Sequence, residues 1–215
     1  MRFEFPKIYP ITDVRISGIS IPEQVKRLVA GGATLIQLRE KYASSRDFYD
    51  AAVRAIDIAR LSGARIIIND RIDIALALKA DGVHLGQDDL PCMHARRILG
   101  DGAIIGLSTH SSEQAVASLS LPINYIAIGP IFPTSTKQDP DAVVGLAGLS
   151  QTRSLIGDFP LVAIGGITES NVKSVFDAGA DSAAIISGLV SDADQITQKM
   201  KSIIQQLSNI DSKHC

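Results

Sequence analysis

Acidic and amide side chains follow two strand-like apolar runs in the middle of the chain. The run in RIIIND ends at Asn69 and Asp70, and the run in GVHLGQDD ends at Asp88 and Asp89. Asn69 or Asp70 could cap the helix that follows, and Asp89 could lie in a solvated turn before Pro91. Asp70 and Asp89 could instead share a hard cation, because Mg²⁺ is usually held by one or two carboxylates together with substrate phosphates and water. Both interpretations fit the sequence, and they predict different effects of mutation.

Glycine-containing segments in the last third of the chain are suited to phosphate binding. Gly165 and Gly166 run from an apolar segment into a helical stretch, and Ser187 and Gly188 do the same after the final apolar segment. Backbone N–H groups at such helix starts can point at an anion. In barrel proteins the loops after strands seven and eight commonly bind phosphate, so the position of these glycines supports a phosphate site.

Basic and hydroxyl side chains at two other places indicate a second anion site. Arg39 and Lys41 follow the apolar segment TLIQL, whereas Thr134, Thr136 and Lys137 follow YIAIGP. An arginine offers a planar fork to phosphate oxygens, and a lysine offers a point charge. Further polar residues at the ends of apolar segments are Gln37, His84, Ser108 and His110.

These side chains meet only if the apolar segments end at one face, and the order of elements predicts that they do. Eight Val/Ile/Leu-rich segments alternate with helical stretches and are separated by glycine-containing turns. Strict alternation favours a parallel sheet with crossover helices. Eight units in 215 residues predict an α/β fold, a single-domain (β/α)₈ TIM barrel of the phosphate-binding type, with a doubly wound open sheet as the alternative. Such barrels place their chemistry at the C-terminal ends of the strands.

No shift in composition divides the chain, so we expect one barrel domain over residues 1–207 and a loose C-terminal tail over residues 208–215. The predicted helices cover residues 22–30, 45–61, 72–80, 95–99 with their flanks, 112–118, 146–156, 169–178 and 193–207. The expected helix N-caps are Asn69 or Asp70, Ser111 or Ser112, Thr168 and Ser191.

The composition excludes several classes of partner. Twenty-one basic residues against 23 acidic ones give no broad positive field, so we expect neither nucleic acid nor an anionic membrane surface as a partner. The apolar segments are shorter than the roughly 18 residues of a membrane span. The N-terminal segment lacks a long apolar region, which leads us to expect a cytoplasmic protein.

Cys92 and Cys215 lack metal-binding spacing and are interpreted as free thiols. The motifs of P-loop proteins, dinucleotide-binding proteins, zincins and nucleophile-elbow hydrolases are absent.

Seven segments in a fixed order carry a resemblance that covers nearly the whole chain. They are YPITD, QLREK, IINDRIDIALALKADGVHLGQDD, GLSTH, YIAIGPIFPTSTK, VAIGGI and GADSAAIISG. Together they closely resemble the thiamine-phosphate synthase family. The resemblance implies a (β/α)₈ transferase that needs Mg²⁺ and acts on two small molecules, a pyrimidine diphosphate and a thiazole phosphate. It leaves a homo-oligomer open.

The same resemblance implies roles for individual residues. Asp70 and Asp89 resemble the Mg²⁺ ligands. The residues that resemble the pyrimidine diphosphate site are Gln37, Arg39, Lys41, Asn69, Ser108 and Lys137, and Arg39, Lys41 and Lys137 among them are the expected catalytic residues. Those that resemble the thiazole phosphate site are Thr134, Thr136, Gly166, Ile186 and Ser187. The implied chemistry is dissociative, so pyrophosphate leaves before the thiazole nitrogen attacks.

Two other functions are weighed against this one. A thiazole tautomerase resembles the synthase in fold and phosphate site but needs neither a diphosphate clamp nor paired metal carboxylates, so QLREK, IIND and GQDD favour the synthase. A non-catalytic barrel that binds a phosphorylated ligand is the other alternative. Retention of two anion sites and a cation site argues against it.

Overall fold

Eight parallel strands form the centre of the computed structural model, which describes residues 5–134, 136 and 141–211. The strands are β1 (Ile8–Pro10), β2 (Leu35–Leu38), β3 (Arg65–Asn69), β4 (Gly82–Leu85), β5 (Ile104–Thr109), β6 (Tyr125–Ile128), β7 (Leu161–Ile164) and β8 (Ser182–Ile185). They pair in the order β1-β8-β7-β6-β5-β4-β3-β2. A parallel bridge between Ile11 and Gln37 brings the two ends of this sheet together. The predicted barrel is confirmed, and the open doubly wound sheet is wrong.

Helices connect successive strands around the outside. They are α1 (Val14–Ser17), α2 (Ile21–Ala30), α3 (Ser45–Leu61), α4 (Ile72–Leu78), α5 (Cys92–Leu99), α6 (Ser112–Ser118), α7 (Gly145–Ile156), α8 (Val172–Asp177), α9 (Ser187–Val190) and α10 (Ile196–Asp211), with a 3₁₀ turn at Ala193–Gln195. Because α10 continues to Asp211, residues 208–211 are helical although the sequence-based interpretation put them in a loose tail. Residues 212–215 lie outside the described part of the chain, and the domain boundary stays a prediction.

Two of the differences between predicted and observed helix boundaries have a clear local cause. Helix α4 ends at Leu78 because Lys79 adopts a left-handed conformation with φ of 49°. Helix α8 starts at Val172 and not at residue 169, because the side chain of Asn171 first closes a turn by accepting the Thr168 N–H at 2.8 Å. Of the expected N-caps, Ser111 holds its position and accepts the Gln114 N–H.

Alternation along the strands divides the apolar residues into two layers, since successive side chains point to opposite faces. One layer packs between the sheet and the helices. The other fills the barrel interior and includes Tyr9, Leu35, Ile67, Tyr125 and Val162. Two residues beyond this inner layer the same strands present polar side chains, such as Gln37 after Leu35 and Asn69 after Ile67. The pleat therefore delivers polar groups to the C-terminal mouth.

The N-terminal end of the barrel is held by a repeated structural contact. Asp81, Asn124 and Asp181 each precede an even-numbered strand and accept a backbone N–H of the odd-numbered strand beside it, at 2.8 Å in every case. The guanidinium of Arg96 contacts Asn124 and that of Arg153 contacts Asp181. These partly buried polar contacts stabilise the end of the barrel opposite its polar mouth.

None of the helices within residues 5–134, 136 and 141–211 combines the length and apolar character that a membrane span requires.

Candidate active site

A cleft with a volume of about 530 Å³ opens at the C-terminal ends of the strands. The predicted site residues that the structure describes all line this cleft. They are Gln37, Arg39, Lys41, Asn69, Asp70, Asp89, Ser108, Thr134, Thr136, Gly166, Ile186 and Ser187. Lys137 falls outside the described residues, so its role stays a prediction. Residues that are far apart in the sequence, from β2 to the loop after β8, thus converge on one cavity.

Asp70 and Asp89 face each other across the loops that follow β3 and β4. Burial and the nearby Asp70 charge raise the pKa of Asp89, although the Gly86 N–H donates to Asp89 Oδ2 at 2.7 Å. Asp70 forms an ion pair with Lys41. Two carboxylates in mutual contact repel each other, and a bound cation relieves that repulsion. The two carboxylates are therefore more favourable with a cation bound than in the free protein.

The capping interpretation of Asn69 and Asp70 is wrong. Helix α4 has Arg71 at its N-cap position and α5 has Pro91, and neither helix start receives a side-chain cap from the described residues. Asp70 instead adopts a left-handed conformation, with φ of 61°. Such backbone strain in a residue other than glycine is concentrated at functional sites.

Asn69 is buried beside the acid pair, with 8% of its surface exposed. Within the described part of the chain, its Nδ2 atom has no hydrogen-bond partner. A buried donor left unpaired costs about 1–3 kcal/mol. Because Asn69 lines the cleft, an acceptor atom of a ligand could satisfy this donor.

Arg39 is held in the cleft by contacts with the loop after β1. Its guanidinium forms an ion pair with Asp13, and its backbone N–H donates to Thr12 Oγ1 at 3.1 Å. The other carboxylate oxygen of Asp13 caps α1 by accepting the N–H groups of Arg15 and Ile16. Asp13 thus fixes the position of a cation that the sequence predicts to bind a diphosphate.

The loop after β7 packs closely against the segment that follows β6. Gly166 has φ of 63°, and a Cβ atom there would lie 2.6 Å from the carbonyl oxygen of Pro133. Asn171 donates to the Gly166 carbonyl at 3.0 Å, which holds the loop in this conformation. On the neighbouring segment, the hydroxyl groups of Thr134 and Thr136 are 3.2 Å apart. Gly166, Thr134 and Thr136 line the side of the cleft at which the sequence predicts a phosphate site.

The floor of the cleft is polar as well. His84 bonds to the Tyr125 hydroxyl through Nδ1 and to Ser108 Oγ through Nε2, both at 2.8 Å. Burial lowers the pKa of His84 to about 4, so the ring is neutral at physiological pH. Gln87 donates to the Ser108 carbonyl at 2.5 Å, which braces the end of β5.

The family model for thiamine monophosphate synthase matches residues 8–189. The chain belongs to this family. Thiamine-phosphate synthase from Clostridium novyi is 44% identical over 189 residues, which cover 87% of this chain and 92% of that protein. The corresponding protein of Persephonella marina is 42% identical, over 94% and 97% of the two chains. The solved thiamine phosphate pyrophosphorylase of Pyrococcus furiosus superposes with a TM-score of 0.83 at 34% identity, over 94% of this chain and 96% of that one. The predicted family is confirmed.

In this member of the thiamine monophosphate synthase family, several residues that support the side chains lining the cleft were missed by sequence reasoning. Asp13 gave a weak signal, as an acid just before a four-residue helix. Tyr9 and Tyr125 lie in apolar segments and look like ordinary core residues. Asn171 lies beyond the expected start of α8. None of these has a pattern of spacing from which its role could be predicted.

Proposed function

We propose that the cleft joins 4-amino-5-hydroxymethyl-2-methylpyrimidine diphosphate to 4-methyl-5-(2-hydroxyethyl)thiazole phosphate, with release of pyrophosphate. The predicted thiamine-phosphate synthase activity, and with it the class of transferase, is confirmed by the family match and by the names of the relatives. The observation that carries the detailed proposal is the convergence of an acid pair, two fixed cations and a glycine loop on one cleft. Each of the three has a role in a condensation of two anionic substrates: the acids for a cation, the basic side chains for the diphosphate and the loop for the second phosphate.

Asp70 and Asp89 are the proposed Mg²⁺ ligands. Among the described residues no group of three or more His, Cys, Asp and Glu side chains forms a metal site. Two carboxylates suffice for Mg²⁺ when substrate phosphates and water complete its shell, so the donor set fits this ion. The raised pKa of Asp89 supports the assignment, because burial and, to a smaller extent, the Asp70 charge disfavour its ionised form unless a cation is bound. When bound, Mg²⁺ neutralises charge that develops on the departing pyrophosphate.

Arg39, Lys41 and Lys137 are proposed to hold the diphosphate and to stabilise the same developing charge. Asp13 keeps Arg39 in place before substrate arrives, so little reorganisation is required during the reaction. The unpaired Nδ2 of Asn69 provides a further donor at the cleft wall. Gln37 and Ser108 are the remaining proposed contacts of this substrate.

Thr134, Thr136, Gly166, Ile186 and Ser187 are proposed to bind the thiazole phosphate. Their placement on the opposite side of the cleft allows both substrates to lie in contact, which converts an encounter into an oriented reaction. The C–O bond to pyrophosphate breaks first and its electron pair leaves with the oxygen. The thiazole nitrogen then donates its lone pair to the pyrimidine methylene cation. No protein nucleophile is required.

The proposal is tested by assaying the protein under three conditions. Purified protein receives both phosphorylated substrates with Mg²⁺, or a thiazole carboxylate phosphate alone, or each substrate alone in a binding titration. We expect thiamine phosphate from the first mixture and no isomerisation in the second. Isomerisation without condensation would indicate a tautomerase, and binding without any turnover would indicate a non-catalytic barrel.

A further inference from the structure

Five polar side chains form one continuous hydrogen-bonded chain across the barrel interior. Gln37 Nε2 donates to the Tyr9 hydroxyl at 3.0 Å, and the Tyr9 hydroxyl lies 3.1 Å from that of Tyr125. The Tyr125 hydroxyl lies 2.8 Å from His84 Nδ1, and His84 Nε2 lies 2.8 Å from Ser108 Oγ. Gln37, Tyr9, Tyr125 and His84 are buried, and Gln37, His84 and Ser108 line the cleft. The chain thus joins two proposed substrate contacts through the protein.

Gly106 creates the space that this chain needs. In the sheet register Gly106 lies between His84 on β4 and Tyr125 on β6. A Cβ atom on Gly106 would lie 2.0 Å from Tyr125 Cζ and 2.4 Å from its hydroxyl oxygen. Any larger residue would force the Tyr125 ring away from His84. The close contact between the two rings, with centroids 5.4 Å apart, therefore depends on this glycine.

Counting protons gives the chain a single direction. Each tyrosine hydroxyl has one proton, and a neutral imidazole has one N–H and one acceptor nitrogen. Since Gln37 Nε2 already donates to Tyr9, the Tyr9 proton must go to Tyr125 to avoid being left unpaired in the core. The Tyr125 proton then goes to His84 Nδ1. His84 consequently bears its proton on Nε2 and donates it to Ser108.

We propose that Tyr9, Tyr125 and His84 are positioning residues that fix Ser108 as a hydrogen-bond donor toward the cleft and leave the amide oxygen of Gln37 available to the ligand. The role of the two ends in binding rests on the proposed function, whereas the direction of the chain does not. If the Gln37 amide were rotated so that its oxygen faced Tyr9, donor and acceptor would exchange in every hydrogen bond from Tyr9 to Ser108. The two cleft contacts are therefore coupled, and they reverse together or not at all.

The direction is tested by ¹⁵N NMR of histidine-labelled protein without substrates, at a pH near 8. We expect His84 in the Nε2–H tautomer, with its resonance assigned by its loss in His84→Asn. An Nδ1–H tautomer would overturn the proposal. Tyr125→Phe should shift the His84 Nδ1 resonance because that nitrogen loses its donor, and an unchanged resonance would also contradict the chain. Thr109→Val is the matched control, since it removes a buried hydroxyl bond to Ala127 on the same strand pair and should leave His84 unaffected.

The coupling to Ser108 is tested by a double-mutant cycle on turnover. We expect Tyr125→Phe to lower kcat about tenfold in the otherwise native protein but less than about twofold in a Ser108→Ala background. Equal losses in both backgrounds would show that Tyr125 acts only through general stability. If the native protein forms no thiamine phosphate, the proposed function fails while the tautomer measurement still decides the direction of the chain.

Discussion

Replacing Asp70 or Asp89 by asparagine distinguishes a role in metal binding from a purely structural role. Asp70→Asn and Asp89→Asn preserve side-chain shape but each removes one of the two carboxylates that face each other in the cleft. In the second variant the new amide oxygen can still accept the Gly86 N–H that Asp89 accepts at 2.7 Å. Folding should therefore tolerate both changes, whereas binding of a divalent cation should not.

The expected change in stability is small, and for Asp89→Asn it has an unusual sign. Burial and the charge of Asp70 raise the pKa of Asp89, so the carboxylate is less favourable in the folded state than in water. Asp89 is only half-buried, and solvent screening limits the relief to about 1 kcal/mol or less. We expect the free energy of unfolding without metal to stay constant or rise slightly. Loss of a helix cap would instead lower it by roughly 0.5–2 kcal/mol.

The choice of asparagine matters at position 70 because Asp70 has φ of 61°. Asparagine tolerates this left-handed conformation, whereas alanine adds strain of about 1–2 kcal/mol. Asp70→Gly relieves the strain but also removes the carboxylate, so it provides a matched control for backbone effects. Because Asp70→Asn and Asp70→Gly both lack the carboxylate, the difference between their free energies of unfolding measures the backbone strain at position 70.

Urea unfolding without Mg²⁺ and turnover across a Mg²⁺ titration are the two measurements. We expect both asparagine variants to lose about 100-fold or more in turnover at saturating substrates. Each should need more Mg²⁺ to reach half of its remaining rate. Turnover that survives in both variants, or losses explained by reduced folded fraction, would refute the assignment of the acid pair to Mg²⁺.

Three further predictions concern other parts of the structure. Asp13→Asn keeps an oxygen for the α1 cap but removes the partner of Arg39, so we expect KM for the diphosphate substrate to rise about tenfold; an unchanged KM would contradict a positioning role. Gly166→Ala should lower stability and raise KM for the thiazole phosphate, whereas Gly157→Ala, with a similar φ of 60° and no described atom within 4 Å of the new Cβ, should affect stability alone. Burial raises the pKa of the Cys92 thiol, so in a variant whose C-terminal cysteine is replaced by serine, alkylation at pH 8 should be slow until urea unfolds the protein; rapid labelling of the native protein would contradict the packing of α5.

The arrangement of the barrel could be predicted because its elements have clear periodicity. Helices α3 (Ser45–Leu61) and α6 (Ser112–Ser118) have the predicted bounds, and Ser111 caps α6 as expected. Helices α1 and α9 have four residues each, which is too short for a 3.6-residue repeat to be visible. The start of α8 was misplaced because an asparagine turn, formed only through a side-chain contact, precedes it.

The site could be predicted as far as residues follow strands directly. Asp70 and Asp89 stand out because an acid after an apolar segment is conspicuous, and the barrel places all such positions at one mouth. Tyr9 and Tyr125 could not be found in this way. Their pairing depends on the register of strands 116 residues apart and on the absence of a side chain at Gly106. Contacts of that kind are set by tertiary packing and leave no local pattern.

The most direct test of the central claim measures both products of the native enzyme at once. Purified protein, both phosphorylated substrates and Mg²⁺ are incubated, and thiamine phosphate and pyrophosphate are quantified over time, with and without a chelator. The proposed function predicts equimolar formation of the two products and loss of both when Mg²⁺ is removed. Pyrophosphate release without thiamine phosphate, or undiminished condensation in the presence of the chelator, would contradict it.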